Sequence, residues 1–399
     1  MRIVQTVFGV FHHFDLAREL NRRGHLECIY STFPWQRLAR EGLSRDRVET
    51  FPWLHLGELL AGRVGSKLGL NLRWLADELG YRNALAFDQW TDGRVKRLLD
   101  GGVSIDALVG ISGSSLRTGA RVQEAGGLFV CDRGSTHQRY QEYVVAEELT
   151  RWGVQQSPSD ERDTVREEEI YAQADAITVP SSMAKRSFVG MGVPTEKLHV
   201  IPYGVRLDAF QPATDPGQGP DADRFTVLFA GAVGLRKGIP YLLQAFAKLR
   251  HPGKRLVLAG ALQDDLRCCL PRLPKEDVEF IGSRGRSGLA SLMRSSDVLV
   301  LPSIEDGFGL VVPEALACGC PVICADTAGA ADMVTPGLNG FVFPSRNVAA
   351  LTGYLQNLAD DVELRTRMRQ AAVDSTAKIG GWEQYGDRWE ALLKDLTTA

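Results

Sequence analysis

Two carboxylates and two glycines follow a run of apolar, β-branched residues in the second half of the chain. The segment Val298–Ile323 reads VLVLPSIEDGFGLVVPEALACGCPVI and places Asp306 eight residues before Glu314. The pattern predicts a buried strand, a loop with Gly307 and Gly309, and then a helix. Ligands of open α/β sheets bind at such carboxyl ends of strands. Carboxylates accept hydrogen bonds from hydroxyls, so the pair suits a sugar and a ribose at either end of a diphosphate. The alternative is a solvated loop acid and an acid in the first turn of a helix.

Arg236 and Lys237 form a pair of cations between the first predicted strand of the second half and the helix that follows. Their segment, residues 230–238, reads AGAVGLRKG. Two cations there can meet the same diphosphate from the other side and stabilise the charge that develops on a leaving nucleotide. Free amides at the start of the helix near Gly309 favour an anion as well. An ordinary pair of surface cations is the alternative.

These segments belong to a chain in which short β-branched runs alternate with amphipathic stretches. Such alternation is typical of parallel sheets with crossover helices. The predicted strands are Arg2–Phe8, Leu26–Thr32, Ile105–Ser112, Leu128–Asp132, Ala176–Pro180, Phe225–Ala230, Arg255–Ala259, Val278–Ile281, Val298–Pro302 and Pro321–Ala325. The predicted helices are His13–Arg23, Leu116–Ala125, Gln138–Trp152, Ile239–Leu249, Gly288–Ser295, Val312–Ala317 and Trp382–Leu396.

The length of the chain, 399 residues, predicts two or three domains. The stretch Gln211–Asp223, QPATDPGQGPDAD, is rich in Pro, Gly and Asp and nearly devoid of large apolar residues. It is the best candidate for an interdomain linker. Its Asp221-Ala222-Asp223 resembles a metal-binding D-x-D motif, but no apolar strand precedes it. We therefore predict a solvated linker and no required divalent metal.

Composition excludes several classes of protein. Lys and Arg total 46 against 49 Asp and Glu, a net charge of -3, which argues against a nucleic-acid binder. No apolar run approaches the roughly 18 residues of a membrane span. The apolar run Ile3–Phe11 has no cleavage site and predicts a strand rather than a signal peptide. Seven cysteines, an odd number that includes the adjacent Cys268 and Cys269, indicate buried thiols in a reduced, cytoplasmic protein.

The segment Phe51–Arg82 fits neither half, because it mixes Trp and Leu residues with Arg63, Lys67 and Arg73. One interpretation is an amphipathic insertion that lies on the inner face of a membrane or lines an acceptor site. The other is an ordinary pair of helices packed on the first domain.

Taken together, these motifs resemble the family 4 retaining glycosyltransferases, which have the GT-B fold. The family pattern E-x7-E is matched by Asp306 and Glu314, with Asp in place of the first Glu and Glu305 directly before it. The family's phosphate-binding segment is matched by Arg236–Gly238. The resemblance covers the second half well and the first half loosely. Further matches are residues 176–188 and 192–210.

The resemblance implies an α/β chain of two Rossmann-like domains that face a cleft, with a C-terminal helix that crosses back to the first domain. A nucleotide-sugar donor would be held mostly by the second domain, and a glycan, lipid-linked or small-molecule acceptor by the first. No cofactor beyond the donor substrate is implied. The implied boundaries are 1–204 for the first domain, 205–224 for the linker, 225–380 for the second domain and 381–399 for the returning helix.

The resemblance also assigns roles around the donor. Glu314 would bind the ribose, and Asp306 would lie near hydroxyls of the sugar, with Glu305 partly compensating for the shorter Asp. Arg236 and Lys237 would contact the diphosphate, and the loop that ends at Arg284 the base. The residues so assigned to the donor are Gly9, Arg236, Lys237, Arg284, Glu305, Gly307, Phe308, Gly309, Leu310 and Glu314.

Candidates for catalysis in the first half follow the strand Leu128–Asp132. Relatives place a His at the end of this strand, where the chain has Asp132, and His137 comes five residues later. Either side chain could bind a sugar hydroxyl or assist a proton transfer. The alternative is that Ser135 or Thr136 caps the next helix and His137 is merely exposed.

No side chain is an evident covalent nucleophile. The resemblance implies a metal-independent hexosyltransferase with retention of anomeric configuration, and without such a nucleophile we expect the acceptor to attack on the same face while the donor phosphate takes its proton. An epimerase of the same fold and an inactive donor-binding scaffold are the alternatives.

Overall fold

Two parallel sheets, one in each half of the chain, form the centre of the molecule. The computed structural model describes residues 1–52, 73–155, 160–213, 219–221 and 223–398. The first sheet contains β1 (Ile3–Val7), β2 (Leu26–Ser31), β3 (Val48–Thr50), β4 (Ala107–Ile111), β5 (Leu128–Asp132), β6 (Ala176–Val179) and β7 (Leu198–Val200). The second contains β8 (Phe225–Ala230), β9 (Lys254–Ala259), β10 (Val278–Phe280), β11 (Val298–Leu301), β12 (Val322–Ala325) and β13 (Gly340–Phe343).

The two sheets share one strand order. The order in the first sheet is β3-β2-β1-β4-β5-β6-β7, and the order in the second is β10-β9-β8-β11-β12-β13. All strands are parallel, but their spatial order reverses between β1 and β4 in the first sheet and between β8 and β11 in the second. The structure confirms the two predicted α/β halves and every predicted strand. Three strands were not predicted, because β3 and β7 are three residues long with polar members and β13 begins with glycine. Such short runs carry little periodicity.

Helices cover the sheets, and this explains why β11 is entirely apolar and β8 is apolar except for Thr226: the residues of both strands are all buried. In the first half the helices are α1 (His12–Arg22), α2 (Trp35–Leu38), α3 (Arg73–Asp100), α4 (Leu116–Glu124), α5 (Gln138–Arg151), α6 (Glu161–Gln173) and α7 (Ser182–Gly190). In the second half they are α8 (Ile239–Lys248), α9 (Asp264–Arg267), α10 (Arg286–Ser295), α11 (Val311–Ala317), α12 (Val348–Asp360), α13 (Val362–Ile379) and α14 (Trp382–Thr398).

The segment that fits neither half belongs in part to α3. Residues 53–72 lie outside the described residues, so the membrane-surface interpretation stays a prediction. None of the described helices is both long and apolar enough to cross a membrane.

The chain passes between the domains twice, and the two passages touch. Val205 forms a parallel bridge with Gly381, and its amide donates to the Gly380 carbonyl at 3.2 Å. A Cβ on Gly204 would lie 2.5 Å from the Gly381 backbone, so a side chain there would push the two passages apart. Within the predicted linker, Phe210 is already buried in the second core.

The last helix, α14, packs on the first domain, which confirms the predicted crossover. Trp389 and Leu393 are fully buried in the cluster that also holds Phe14 and Leu20 of α1. At the rim, the guanidinium of Arg23 bonds carboxylates of both helices. The second half of the chain therefore supplies part of the first domain's core.

Replacing Trp389 tests this packing. Trp389→Ala should destabilise the first domain by about 3–5 kcal/mol, because it leaves a large cavity between α1 and α14. Urea unfolding followed by circular dichroism measures the loss. Lys394→Ala, on an exposed side chain of the same helix, is the control and should cost less than about 1 kcal/mol. A loss below about 1 kcal/mol for Trp389→Ala would contradict the packing.

Candidate active site

The loop after β11 lies against the loop after β5. This contact brings together the carboxyl ends of the two sheets. A Cβ on Gly307 would come within 2.3 Å of the Ser135 Cα and 3.0 Å of the Gly134 carbonyl oxygen. The Gly307 carbonyl accepts a hydrogen bond from the Ser181 hydroxyl at 2.7 Å. The glycine was predicted to admit a ligand, but the group that it admits is the backbone of the first domain.

Glu305 is completely buried in the same contact. Its carboxylate accepts hydrogen bonds from the Thr136 hydroxyl at 2.8 Å and the Gln141 amide at 2.9 Å. Arg236 Nη1 donates to it at 3.1 Å and also to the Glu305 carbonyl at 3.1 Å. A buried charge must be paired and hydrogen-bonded. The carboxylate therefore joins the domains, and it is not free to compensate for the shorter Asp306 as predicted.

Lys237 and Asp306 form an ion pair at the carboxyl ends of β8 and β11, the point where the second sheet reverses its strand order. Each side chain is 14% exposed. The pair borders a cavity of about 250 Å³ between the domains. The cavity is lined by Gly134, Tyr203, Ala230, Gly231, Lys237, Leu301, Asp306, Phe308, Gly309, Leu310 and Val311.

The residues between the ion pair and α11 divide their roles. Phe308 packs its ring edge-on against Tyr203 of the first domain, with 5.0 Å between centroids. Gly309 has φ +91, and a Cβ there would lie 2.6 Å from Leu301 Cδ2, so both conformation and space require glycine. Leu310 precedes α11 and is partly exposed. Phe308 thus joins the domains and also borders the cavity.

Glu314 lies within α11, and burial raises its pKa to about 7, although Arg286 and Arg206 oppose the rise. Desolvation disfavours the charged form of a carboxyl group. Hydroxyl donors that bind the ionised form would lower the pKa again. The carboxyl group of Glu314 can thus lose its proton near neutral pH when a ligand donates hydrogen bonds to it.

The two remaining residues assigned to the donor, Arg284 and Gly9, do not line the Lys237–Asp306 cavity. Arg284 is exposed, and its guanidinium donates to the neighbouring Ser283 carbonyl at 3.3 Å. Gly9 follows β1 with φ +68, and its amide donates to the Thr32 hydroxyl at 2.9 Å. A Cβ on Gly9 would meet the Phe33 ring at 3.1 Å.

Asp132 is buried and makes contacts that the sequence analysis missed. His12 Nε2 lies 2.7 Å from its Oδ2, and the Thr178 hydroxyl donates to its Oδ1 at 2.8 Å. Burial alone would raise the pKa of Asp132, but His12, His13 and Thr178 hold it below the ordinary value. The His12 ring stacks near Tyr203, with 4.3 Å between centroids. The position of His12, directly after the loop that follows β1, could have indicated that it lies at the carboxyl edge of the sheet. Its pairing with Asp132 could not be predicted, because β4 lies between β1 and β5.

His12, His13 and Asp132 also have ligand atoms within 4.8 Å of one another, close enough to surround a cation. His13 is fully buried, and burial followed by the nearby His12 lowers its pKa to about 3, which keeps it neutral at physiological pH. His12 and Asp132, however, already satisfy each other by a hydrogen bond.

His137 lies apart from this group. Its ring packs against Tyr171 and Phe188, with centroids 5.1 and 5.0 Å away, and its amide donates to the Ser187 hydroxyl. Burial lowers the pKa of His137 to about 4. The structure thus brings Asp132 to the cleft but not His137, and His137 is not exposed on a capped helix either.

Gly307→Ala tests the contact between the loops. The methyl group would force the backbone of Ser135 away, and overpacking of this kind costs about 1–3 kcal/mol. Urea unfolding should show the loss, and small-angle scattering should show a larger radius of gyration. Gly288→Ala in α10, where the nearest atom is 3.8 Å away, is the control and should leave the radius of gyration unchanged and raise stability by up to about 1 kcal/mol, as Ala in place of Gly in a helix does. Unchanged stability in Gly307→Ala would contradict the contact.

The raised pKa of Glu314 predicts that the stability of the protein depends on pH. The pKa of the folded state, about 7, exceeds the ordinary value of 4.5, so the unfolded chain loses its proton first as pH rises. The free energy of unfolding should therefore fall between pH 4.5 and 7 by up to roughly 3 kcal/mol. Glu314→Gln should remove this fall.

Denaturant unfolding of wild type and Glu314→Gln at pH 5 and pH 8 measures the effect. Glu363→Gln, on a side chain that is 91% exposed, is the control and should differ from wild type by the same amount at both pH values. If Glu314→Gln also keeps a constant difference from wild type, the raised pKa is wrong.

Comparison with known proteins gives the family context of this geometry. Residues 211–374 match the family model described as glycosyl transferases group 1. The D-inositol 3-phosphate glycosyltransferase of Jonesia denitrificans is 30% identical over 239 residues, which cover 54% of this chain and 56% of that protein. The protein of the same name from Mycobacterium tuberculosis is 30% identical over 250 residues, 59% of this chain and 51% of that protein. The chain thus matches little more than half the length of these curated relatives.

Solved structures match along the whole chain. Sucrose-phosphate synthase from Thermosynechococcus elongatus superposes with a TM-score of 0.71 at 20% identity, and 100% of each chain is covered. HepE of Anabaena, solved in complex with UDP, superposes with a TM-score of 0.68 at 17% identity and covers 99% of this chain and 100% of that chain. The chain therefore has the two-domain GT-B fold, and its residues 211–374 are similar to the glycosyl transferases group 1 family.

Proposed function

We propose that the chain is a glycosyltransferase that moves a sugar from a nucleoside-diphosphate sugar to an acceptor hydroxyl, with retention of anomeric configuration. The observation that carries the proposal is the Lys237–Asp306 pair at the strand-order reversal of the second sheet, with Gly134 and Tyr203 of the first domain across the cavity. This is where an open α/β sheet binds its ligand. HepE, with the same fold, was solved with UDP.

The donor would lie along the carboxyl edge of the second sheet. Lys237 and Arg236 would bind the diphosphate, because both cations lie directly before the N-cap of α8 and Lys237 lines the cavity. Asp306 would accept a hydrogen bond from a sugar hydroxyl when Lys237 turns to the phosphate. Ionised Glu314 would accept hydrogen bonds from the ribose hydroxyls.

In the reaction, the bond between the anomeric carbon and the diphosphate oxygen breaks while the acceptor oxygen bonds to the same face of that carbon. The acceptor proton passes to the departing phosphate oxygen. Lys237 and Arg236 stabilise the negative charge left on the nucleoside diphosphate. Asp132 fixes the orientation of His12, which would hydrogen-bond a hydroxyl of the transferred sugar. No divalent cation is required in this scheme.

Lys237→Ala tests the donor site. Loss of a charge-assisted contact to phosphate should weaken the binding of nucleoside diphosphates about 10- to 100-fold, measured by titration calorimetry across UDP, GDP, ADP and dTDP. Lys248→Ala, at the exposed end of α8, is the control and should bind as wild type does. Wild-type affinity in Lys237→Ala would contradict the assignment.

The chemistry is tested with the donor that binds best. Product formation with acceptor present, unaffected by EDTA and with unchanged anomeric configuration by proton NMR, supports retention. An inverted product contradicts retention but not transfer. Conversion of the donor into its epimer without acceptor would show an epimerase instead.

A further inference from the structure

His12, His13 and Asp132 bring two imidazole rings and a carboxylate to one point at the carboxyl edge of the first sheet. His12 and His13 are the first two residues of α1, and Asp132 is the last residue of β5. One ligand atom of each lies within 4.8 Å of the others. The proposed reaction uses His12 and Asp132, and His13 has no part in it.

The ring of His13 lacks the partners that a buried polar group needs. It is fully buried, and both of its nitrogens are without a hydrogen-bond partner among the described residues. Nε2 lies 3.4 Å from Asp132 Oδ2 without forming a hydrogen bond. Unpaired burial of such atoms is unfavourable, and a metal ion bonded to Nε2 would satisfy that nitrogen.

The spacing of the three side chains suits a small tetrahedral ion. Zinc bonds imidazole nitrogens and carboxylate oxygens at about 2.0–2.2 Å, which places neighbouring ligand atoms roughly 3.3–3.5 Å apart. The distance between His13 Nε2 and Asp132 Oδ2, 3.4 Å, already has this value. His12 Nε2 is 2.7 Å from the same oxygen and must move away by roughly 0.6 Å. The ion then takes the place of the proton between His12 and Asp132.

Asp132 is oriented for this role by its other oxygen. Oδ1 accepts a hydrogen bond from the buried Thr178 hydroxyl at 2.8 Å, which leaves Oδ2 beside both histidines. An outer partner of this kind is typical of carboxylates that bind metals. The negative charge of Asp132 also offsets the charge of the ion and the partial positive charge at the start of α1.

An ion reaches the cluster from the cleft. The His12 side chain is 9% exposed, and the Tyr203 hydroxyl is 3.4 Å from His12 Nε2. Tyr203 also lines the Lys237–Asp306 cavity. Three protein ligands leave the fourth position of a tetrahedral ion to water or another small group. A bound ion would therefore lie at the edge of the proposed donor site.

The types of ligand select the ion. Two imidazoles and one carboxylate suit zinc and its neighbours cobalt and nickel. Magnesium and calcium prefer oxygen ligands throughout. The cluster should therefore distinguish zinc from magnesium.

We propose that His12, His13 and Asp132 form a zinc site, and that bound Zn²⁺ inhibits the transferase. The ion occupies the His12 nitrogen that would otherwise bond a hydroxyl of the transferred sugar. The binding of zinc goes beyond the proposed function and is independent of it, whereas the inhibition rests on it.

Metal titration tests the site without catalysis. Zn²⁺, Co²⁺ and Mg²⁺ are titrated by calorimetry into a Cys268→Ser protein, because the exposed Cys268 thiol competes for zinc. Zinc should bind, magnesium should not, and bound Co²⁺ should show the visible absorption of tetrahedral coordination. His13→Gln should weaken zinc at least about 100-fold, because loss of a ligand exceeds the about 10- to 100-fold cost of losing an outer partner.

His199→Gln, on β7 of the same domain, is the matched control and should leave the zinc affinity unchanged. X-ray absorption at the zinc edge of the Cys268→Ser protein is a second measurement that does not depend on the folding of His13→Gln. It should show two imidazole ligands at about 2.0–2.1 Å. Unchanged affinity in folded His13→Gln, fewer than two imidazoles, or magnesium binding as tight as zinc binding overturns the site.

Inhibition is tested with the donor that binds best. Free zinc at 10 times its dissociation constant should lower the transfer rate about 10-fold, as the occupied fraction requires, and EDTA should restore it. His13→Gln should keep its own metal-free rate at the same zinc concentration. A wild-type rate that zinc leaves unchanged overturns the inhibition. Absence of transfer under every condition contradicts the proposed function and the inhibition with it, whereas calorimetry still decides the zinc site.

Discussion

The contact between the loop after β11 and the loop after β5 is the constraint on which the rest of the site depends. Gly307 admits the backbone of Ser135, and Glu305 satisfies its buried charge with Thr136 and Gln141 of the first domain. A buried carboxylate without these partners would be strongly unfavourable. The same residue holds Arg236, so the position of a proposed phosphate ligand is set by how closely the domains approach.

The topology makes this approach stable. Because the two passages of the chain touch at Val205 and Gly381, the domains share one hinge region rather than a single flexible connection. Trp389 then anchors the end of the chain in the core of the first domain.

Much of the fold and part of the site could be predicted from the sequence. The strands β5 and β8 lie at their predicted bounds, since strands buried on both faces are continuous apolar runs between turn residues. Lys237 and Asp306 were singled out because their spacing follows local elements, and the structure brings them together as an ion pair, while their roles toward a donor stay predictions. The His12–Asp132 contact was missed because it joins the start of α1 to the end of β5, 120 residues apart and across an intervening strand, and no local pattern records such a pairing.

Two α/β halves, the returning helix and the residue types at the end of each strand follow from the amino-acid sequence, because hydrophobic periodicity and turn chemistry are local properties. Which of those residues meet depends on how the chain folds in three dimensions. The tertiary structure places Glu305 and Gly307 at the contact between the domains, and it buries His137 between Tyr171 and Phe188. Whether a charge is buried and paired depends on segments that are far apart in the chain. Neighbouring residues of one motif can therefore have different roles: Asp306 borders the cavity, and Glu305 bonds to the other domain.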